Sequence, residues 1–314
     1  MIELEEFKEK LRGYVRSIIL SIRIIARRKT GLASLVILSL YVAAAIATAI
    51  GVVPPTPPAK TGWEYMFAPP SMKDFPWYIL GTDYLGRPLF LVLVRGTLDI
   101  LIVAVLASLI TIGVGLLVGL FAGYYGGALD SVLMAITDIA LNIPSYLLML
   151  VLAALLPVEI KQNVFVIALV LSATTWAPLA RAVRAQTLSL KKREFIDVAR
   201  VLGFSTPRIL FKEILPLMAP YIFVNWIMSL IGAVYGYTGL AFLGFIPVRP
   251  ENWGVQLNLA IIAGGALYTE KAMYALWSPI AAIVLLEVSF MWLAGAAEEL
   301  FNPALRAEFM GEEE

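Results

Sequence analysis

Long uncharged runs of apolar residues alternate with short polar segments along this chain of 314 residues. A helix that crosses a bilayer needs about 20 such residues, because the hydrocarbon offers no water to exposed backbone groups. Six runs approach this requirement, so the pattern predicts an all-α polytopic membrane protein with six transmembrane helices. The runs are 32–52, 100–121, 143–156 with the turns before Pro144, 164–179, a stretch within 216–240, and 276–297.

One further segment, residues 252–269, is uncharged but differs in character from the six runs. It carries the amide side chains of Asn252, Gln256 and Asn258 and the pair Gly264-Gly265. Polar side chains are costly inside a bilayer, which disfavours a seventh span. The segment is therefore interpreted as either a loop or a re-entrant piece.

The basic residues predict the orientation of the spans. Eight Lys and Arg lie within residues 1–30 and eight within 181–212, so that with Arg306 the predicted inside segments hold 17 and the outside loops hold 7. Cytoplasmic loops carry such an excess, so both termini are predicted to be cytoplasmic. Residues 1–29 also place isoleucines between basic residues. Either an amphipathic helix on the cytoplasmic leaflet or a cluster that sets the topology explains this pattern.

Composition excludes several classes of function. Hydrophobic residues make up 60% of the chain and charged residues 15%, with a net charge of +1, so no overall charge favours nucleic acid. Histidine and cysteine are absent, which excludes a Ser-His-Asp triad, a thiolate nucleophile and a Cys/His metal site. No glycine is followed by lysine, so there is no phosphate-binding G-x4-GK loop. The chain is predicted to be neither an enzyme nor a metal protein.

Three glycines recur at every fourth position of the second predicted span: Gly115, Gly119 and Gly123. Small residues at this spacing allow two helix backbones to approach closely in a membrane, where lipid supplies no hydrophobic drive for association. The repeat predicts a helix-packing face and is uninformative about cargo.

The basic loop at 181–216 has a finer pattern. Residues 194–202 predict a helix with Phe195, Val198, Ala199 and Leu202 on one exposed apolar stripe. Gly203 follows as the residue that ends the helix, and Thr206 with Pro207 predicts the start of a second helix that runs towards position 216. From the pattern alone, a solvated cytoplasmic loop is a better explanation than a docking module.

The same loop contains, in order, Asp197-Val198-Ala199, Gly203 and Leu215-Pro216. This order resembles the EAA-x3-G-x9-I-x-LP motif of binding-protein-dependent ABC import permeases. Further segments between Leu80 and Pro303 are similar to the dipeptide/oligopeptide class of that family, in order and with compatible spacing. They are LGTDYLGR at 80–87, AGYYGG at 122–127, Asp138 with Ile143-Pro144-Ser145, LAFLG at 240–244 and NWG at 252–254. The long first outside loop resembles that of the C-type subunit.

The chain departs from the family pattern at several positions. The first acid of the loop motif is Asp197 instead of Glu, Val198 stands in place of Ala, and Glu213 occupies the Ile position. Tyr237 lies where the class often has Glu near the end of the fifth span, and a polar GDGLRD tail is replaced by residues 295–299. These departures leave the assignment of the loop in place but prevent the transfer of a substrate.

The resemblance implies a type I ABC importer transmembrane domain in a prokaryotic inner membrane. Residues 1–97 would form the cytoplasmic helix, first span and first outside loop, and 98–314 the five-helix domain. The helix at 194–203 would be a coupling helix that docks on an ATPase subunit. The implied coupling residues are Glu194, Asp197, Val198, Ala199, Gly203, Leu215 and Pro216.

The resemblance also implies partners. These are a homologous second permease that forms a heterodimer with this chain, two ABC ATPases that hold ATP and Mg²⁺, and an extracytoplasmic binding protein. Asn252, Trp253 and Gln256 could contact the binding protein or have a structural role. No cofactor is expected in the chain itself. Peptides are the cargo that the class suggests, with oligosaccharides or nickel as alternatives. A secondary transporter is a distant alternative, because Glu287 is the one strong midplane charge and no internal repeat is visible.

Overall fold

The computed structural model describes residues 19–300, apart from positions 61, 63, 73 and 248, with side chains to position 297. The predicted amphipathic helix at 1–29 lies mostly outside the described residues, of which 19–27 are helical. The main helices are α1 (Lys29–Ala49), α2 (Leu89–Tyr125), α3 (Gly127–Asn142), α4 (Ser145–Leu155), α5 (Val164–Ser172), α6 (Ala177–Leu190), α7 (Glu194–Val201), α8 (Ala219–Phe242), α9 (Trp253–Asn258) and α10 (Met273–Leu300).

The apolar helices reproduce the six predicted spans. Helix α1, helix α2, the stretch Thr206–Phe242 that includes α8, and the stretch Glu270–Ala297 that includes most of α10 are each long and apolar enough to cross a membrane. Helices α3 and α4 meet that requirement as a pair bent by 84°, and α5 and α6 as a pair bent by 60°. Counting each bent pair as one span gives six within the described residues, which confirms the predicted architecture.

The position of the bend between α3 and α4 has a local cause. Ile143 is extended, with φ −86° and ψ 124°, because the ring of Pro144 disfavours the helical conformation of the preceding residue. Helix α3 therefore ends at Asn142 and α4 begins at Ser145. The apolar pattern predicts that the turns before Pro144 continue the third span, whereas the two helices are almost perpendicular.

Helix α2 lies at the centre of the bundle and contacts α1, α5, α6 and α8. The larger hydrophobic cluster surrounds its outer half, where Leu89, Ile100 and Val103 are fully buried against residues of α8 and α10. A smaller cluster forms around its cytoplasmic half and includes Leu120, Val183 of α6 and Ile196 of α7. The loop region is thus joined to the bundle by its own hydrophobic core.

The three glycines of α2 lie against α6. A Cβ atom would come within 2.9 Å of Leu179 Cδ2 if built on Gly115, 2.6 Å of Val183 Cβ if built on Gly119, and 2.7 Å of Thr187 Cβ if built on Gly123. The order of these contacts shows that α2 and α6 run in the same direction. The second and fourth spans cross the membrane in the same direction in the predicted topology, so the packing agrees with it.

Gly119→Ala is expected to destabilise the bundle, because its new Cβ would lie 2.5 Å from the carbonyl oxygen of Ala180 and force the helices apart. Overpacking of this kind costs about 1–3 kcal/mol. Gly113→Ala is the matched control on the same helix, where a Cβ meets no atom within 4 Å. Alanine favours helix over glycine, so the control should be neutral or stabilising. Thermal unfolding of the detergent-solubilised protein would compare them, and equal shifts would contradict the assigned contact.

Candidate functional site

Helix α7 of the basic loop is a short helix with defined ends. It begins after the extended residue Arg193 and carries Glu194 and Asp197 in its first turn, where carboxylates interact favourably with the helix dipole. At its end the N–H of Phe204 donates to the carbonyl of Ala199 and that of Gly203 to the carbonyl of Arg200, both at 3.0 Å. This is a Schellman motif, and Gly203 adopts the left-handed conformation that it requires, with φ +73°.

The two faces of α7 differ in what they contact. Ile196 is fully buried and Ala199 is nearly so. Four apolar side chains point away from the bundle and are exposed, with Val201 reaching 88%: Phe195, Val198, Val201 and Leu202. We call these four residues the exposed face of α7. The predicted stripe was wrong at Ala199, which packs inwards. Val201 lies on the exposed side of the helix in its place.

The segment that follows α7 also differs from the prediction. The second helix of the loop begins at Thr206, so the residue that precedes it is Ser205 instead of the predicted Thr206. Pro207 is its second residue instead of its first. The helix widens into a π-helical turn over Ile209–Ile214 before the tighter turn Leu215–Met218. Pro216 has no N–H to continue an α-helical ladder, which explains the irregular hydrogen bonding at this point.

We call the smaller hydrophobic cluster the second hydrophobic cluster, and it connects α7 to α2, α6 and α8. Ile196 and Ala199 pack with Ile209, Leu210 and Ile214 of the following segment. The same cluster includes residues of α2 and α6, among them Leu120, Leu179 and Val183. Because these side chains are buried together, a displacement of α7 has to displace the helices that share its core.

Two basic side chains, which the sequence pattern shows only as members of a charge cluster, hold the loop onto the end of α2. The ammonium of Lys191 donates to the carbonyls of Gly123 at 2.6 Å and Tyr124 at 3.2 Å. The guanidinium of Arg200 lies 5.7 Å from the centre of the Tyr124 ring. A hydrogen bond with Tyr124, together with the nearby carboxylate of Asp197, raises the pKa of Arg200. A cation at a helix C-terminus also interacts favourably with its dipole.

The motif residues of the loop do not form one cluster. Glu194, Asp197 and Val198 are exposed, and Asp197 accepts a hydrogen bond from Arg200 at 2.8 Å. Ala199 is on the buried face, while Leu215 and Pro216 lie at the entrance of the fifth span. The described residues contain no group of acidic side chains that could hold a metal ion. The loop thus exposes part of its motif and buries the rest.

On the opposite side of the membrane, Asn252, Trp253 and Gln256 are all buried, with Trp253 only 1% exposed. Asn252 caps α9 through Gly254 and Val255, and the indole of Trp253 donates to the carbonyl of Leu93 at 2.9 Å. The suggestion that these side chains contact a binding protein is therefore wrong in this structure, since they face the bundle. The segment is helical over Trp253–Ala263, which is shorter than a span and fits the re-entrant interpretation.

Gln256 joins this segment to the first outside loop. Its side-chain amide donates to Pro250 O at 2.6 Å and to Asp83 Oδ2 at 3.2 Å. Asp83 also accepts from Arg87 Nε at 2.7 Å and from the backbone N–H of Leu85 and Arg87 at 2.8 and 2.9 Å. The LGTDYLGR motif and Gln256, which follows the NWG motif and is far from the first motif in the sequence, thus meet in one buried polar network. We call it the outer network.

Asp138 and Glu287, two acidic residues noted in the sequence, have defined positions in the structure. Asp138 lies near the C-terminal end of α3 and pairs with Arg181 of α6. A second ion pair, Asp130 with Arg184 at 2.5 Å, joins the first turn of α3 to α6. Glu287 is 7% exposed and faces the bundle.

Comparisons with known proteins identify the family. Residues 115–305 match the family described as "Binding-protein-dependent transport system inner membrane component". The chain is 30% identical over 291 residues to the oligopeptide transport system permease protein OppC of Mycobacterium bovis, covering 92% of this chain and 95% of that protein. It is 30% identical to OppC of Haemophilus influenzae over 88% of this chain and 85% of that one.

A third relative is the dipeptide transport system permease protein DppC of Bacillus subtilis, with 33% identity over 76% of this chain and 71% of that protein. The family match over residues 115–305 covers the loop at 181–216, α8 and α10. The similarity to the OppC relatives extends further and includes the first outside loop. The chain belongs to the family of inner membrane components of binding-protein-dependent transport systems and is a membrane-spanning permease subunit.

Proposed function

We propose that this permease is the C-type half of an ATP-driven importer of di- or oligopeptides. The observation that carries the proposal is the exposed face of α7 on a helix whose other face is packed into the core of the bundle. Exposed apolar patches of this kind outside lipid mark protein contacts. The similarity to oligopeptide and dipeptide permeases supports peptides as the cargo.

In this proposal two ABC ATPase subunits bind ATP and Mg²⁺, and one of them receives α7 in a surface groove. The movement between nucleotide states reaches the membrane through the second hydrophobic cluster, a two-state rigid-body coupling. A homologous second permease completes the pathway, and an extracytoplasmic binding protein delivers the cargo. This chain performs no chemistry itself.

Purification and reconstitution test the proposal. The chain is coexpressed with the subunits encoded beside it, and a tag on the chain alone is used for purification. We expect a complex with one second permease and two ATPases, whose ATP hydrolysis and peptide uptake in proteoliposomes rise when peptide-loaded binding protein is added. Transport by the chain alone would refute the assignment, and uptake of oligosaccharides or nickel in place of peptides would refute the cargo.

Lys191→Met is expected to weaken coupling without preventing assembly, because it removes the bonds to the end of α2 while the hydrophobic cluster remains. Hydrogen bonds of a charged group contribute about 1.5–3 kcal/mol. We expect peptide uptake per ATP hydrolysed to fall about threefold to tenfold. Lys192→Met, an exposed neighbour of equal charge, is the matched control. The same ratio of uptake to hydrolysis in both variants would show that the hydrogen bonds from Lys191 to the end of α2 play no part in coupling.

A further inference from the structure

A cleft lined by apolar and uncharged polar residues opens near the middle of the bundle, outside the loop and outside the outer network. It has a volume of about 230 Å³ and lies between α2, the break that joins α5 to α6, and the first half of α8. None of the residues that line it is charged. Its polar side chains are those of Thr111, Thr175, Asn225 and Ser229.

The position of the cleft is incompatible with a surface that faces lipid. Thr111 lies in the central part of α2, and the fourth span loses its helical form at positions 173–176, directly beside the cleft. Irregular backbone at membrane depth is tolerated only where it is buried in protein or lines a water-filled cavity. The carboxamide of Asn225 would add a further cost in the hydrocarbon. The cleft therefore faces protein or water.

The side chains of the cleft already donate most of their protons within the chain, apart from the second N–H of the Asn225 amide. Asn225 Nδ2 donates to the carbonyl of Tyr221 at 2.8 Å, and Ser229 Oγ donates to the carbonyl of Asn225 at 2.9 Å. Thr111 and Thr175 share a hydrogen bond at 2.8 Å. What these groups can still offer is chiefly the acceptor capacity of the amide oxygen and of the hydroxyl oxygens.

We propose that this cleft lies on the translocation path and accepts hydrogen bonds from the backbone N–H groups of an extended peptide. The inference rests on the proposed function and adds where the cargo passes and what recognises it. Every peptide carries backbone N–H groups, and the uncharged acceptor oxygens of the cleft can bind them whatever the cargo side chains are. Passage therefore does not depend on the charge of those side chains. Polar groups that pair with the backbone replace water at a depth where an unpaired amide would be costly.

The natural absence of cysteine allows a direct test. Ser229→Cys is compared with Val284→Cys, an exposed position on the apolar helix α10, in the complete complex in proteoliposomes. A membrane-impermeant methanethiosulfonate reagent should modify Cys at 229 in at least one nucleotide state, and peptide-loaded binding protein with ATP should slow this reaction at least threefold. Cys at 284 should not react. If a complex that takes up peptide shows no modification at 229 in any nucleotide state, the cleft is not on the path.

A second measurement tests whether the cleft binds the backbone N–H groups of the peptide. Asn225→Leu should lower the uptake of an alanine peptide about fivefold at saturating loaded binding protein, which corresponds to the loss of one hydrogen bond. The same peptide N-methylated along its backbone has no N–H to donate, so the variant should change its uptake less than twofold. Equal losses for both peptides would overturn the assignment to backbone N–H groups. Failure of the parent complex to take up any peptide would instead refute the proposed function.

Discussion

Gly203→Val should give a protein that inserts, assembles and hydrolyses ATP but takes up peptide at least tenfold more slowly. The reason is conformational, because Gly203 has φ +73° and a Cβ at this position meets no atom within 4 Å. A left-handed residue with a side chain costs about 1–2 kcal/mol, and a β-branched one is a stronger outlier. The Schellman bonds from Gly203 and Phe204 would be lost, and Leu202 would leave the exposed face of α7. Uptake and ATP hydrolysis in proteoliposomes measure the effect.

Two control variants separate this effect from general strain. Gly203→Asn should retain most of the uptake, since asparagine tolerates the left-handed conformation. Gly51→Val introduces the same kind of strain at φ +78°, also with no atom within 4 Å, but at the far end of α1. It should leave the ratio of uptake to hydrolysis unchanged. Loss of coupling in Gly51→Val, or normal uptake in Gly203→Val, would contradict a specific role for the end of α7.

The features that could be predicted from sequence are those that a local rule determines. Six apolar runs were sufficient for six spans because the bilayer imposes a length on every crossing segment. Gly203 could be assigned to a helix end because few other residues adopt positive φ at low cost. The repeat of Gly115, Gly119 and Gly123 indicated a close helix contact, although its partner helix α6 could be identified only from the structure.

Features that depend on distant contacts could not be predicted. A basic residue of an inside loop satisfies the positive-inside rule whether or not it makes a specific bond, so Lys191 was indistinguishable from Lys192. The same holds for polar residues outside the membrane. Gln256 reaches Asp83 across 173 positions of sequence, and no periodicity distinguishes such a residue from a solvated one. The sharp angle between α3 and α4 likewise depends on what each helix packs against, and Pro144 marks only where the bend occurs.

The outer network is the second place where one substitution should have a large effect. Arg87 and Asp83 pair at 2.5 Å, with side chains that are 5% and 1% exposed. Arg87→Leu would leave the carboxylate of Asp83 buried without its cation. Breaking a buried ion pair in this way costs about 3–5 kcal/mol. We expect a large loss of thermal stability, and with it a lower yield of the assembled complex, measured by unfolding in detergent and by copurification.

A double variant and a second ion pair show whether burial is the cause. Asp83→Leu combined with Arg87→Leu should be less harmful than Arg87→Leu alone, because it removes the unpaired charge together with its partner. Arg249→Leu breaks a pair with Asp99 at 3.0 Å whose side chains are 42% and 25% exposed, so water can solvate the carboxylate that remains. Such pairs contribute about 1 kcal/mol or less. If Arg249→Leu proves as destabilising as Arg87→Leu, desolvation of the Asp83 carboxylate cannot explain the effect.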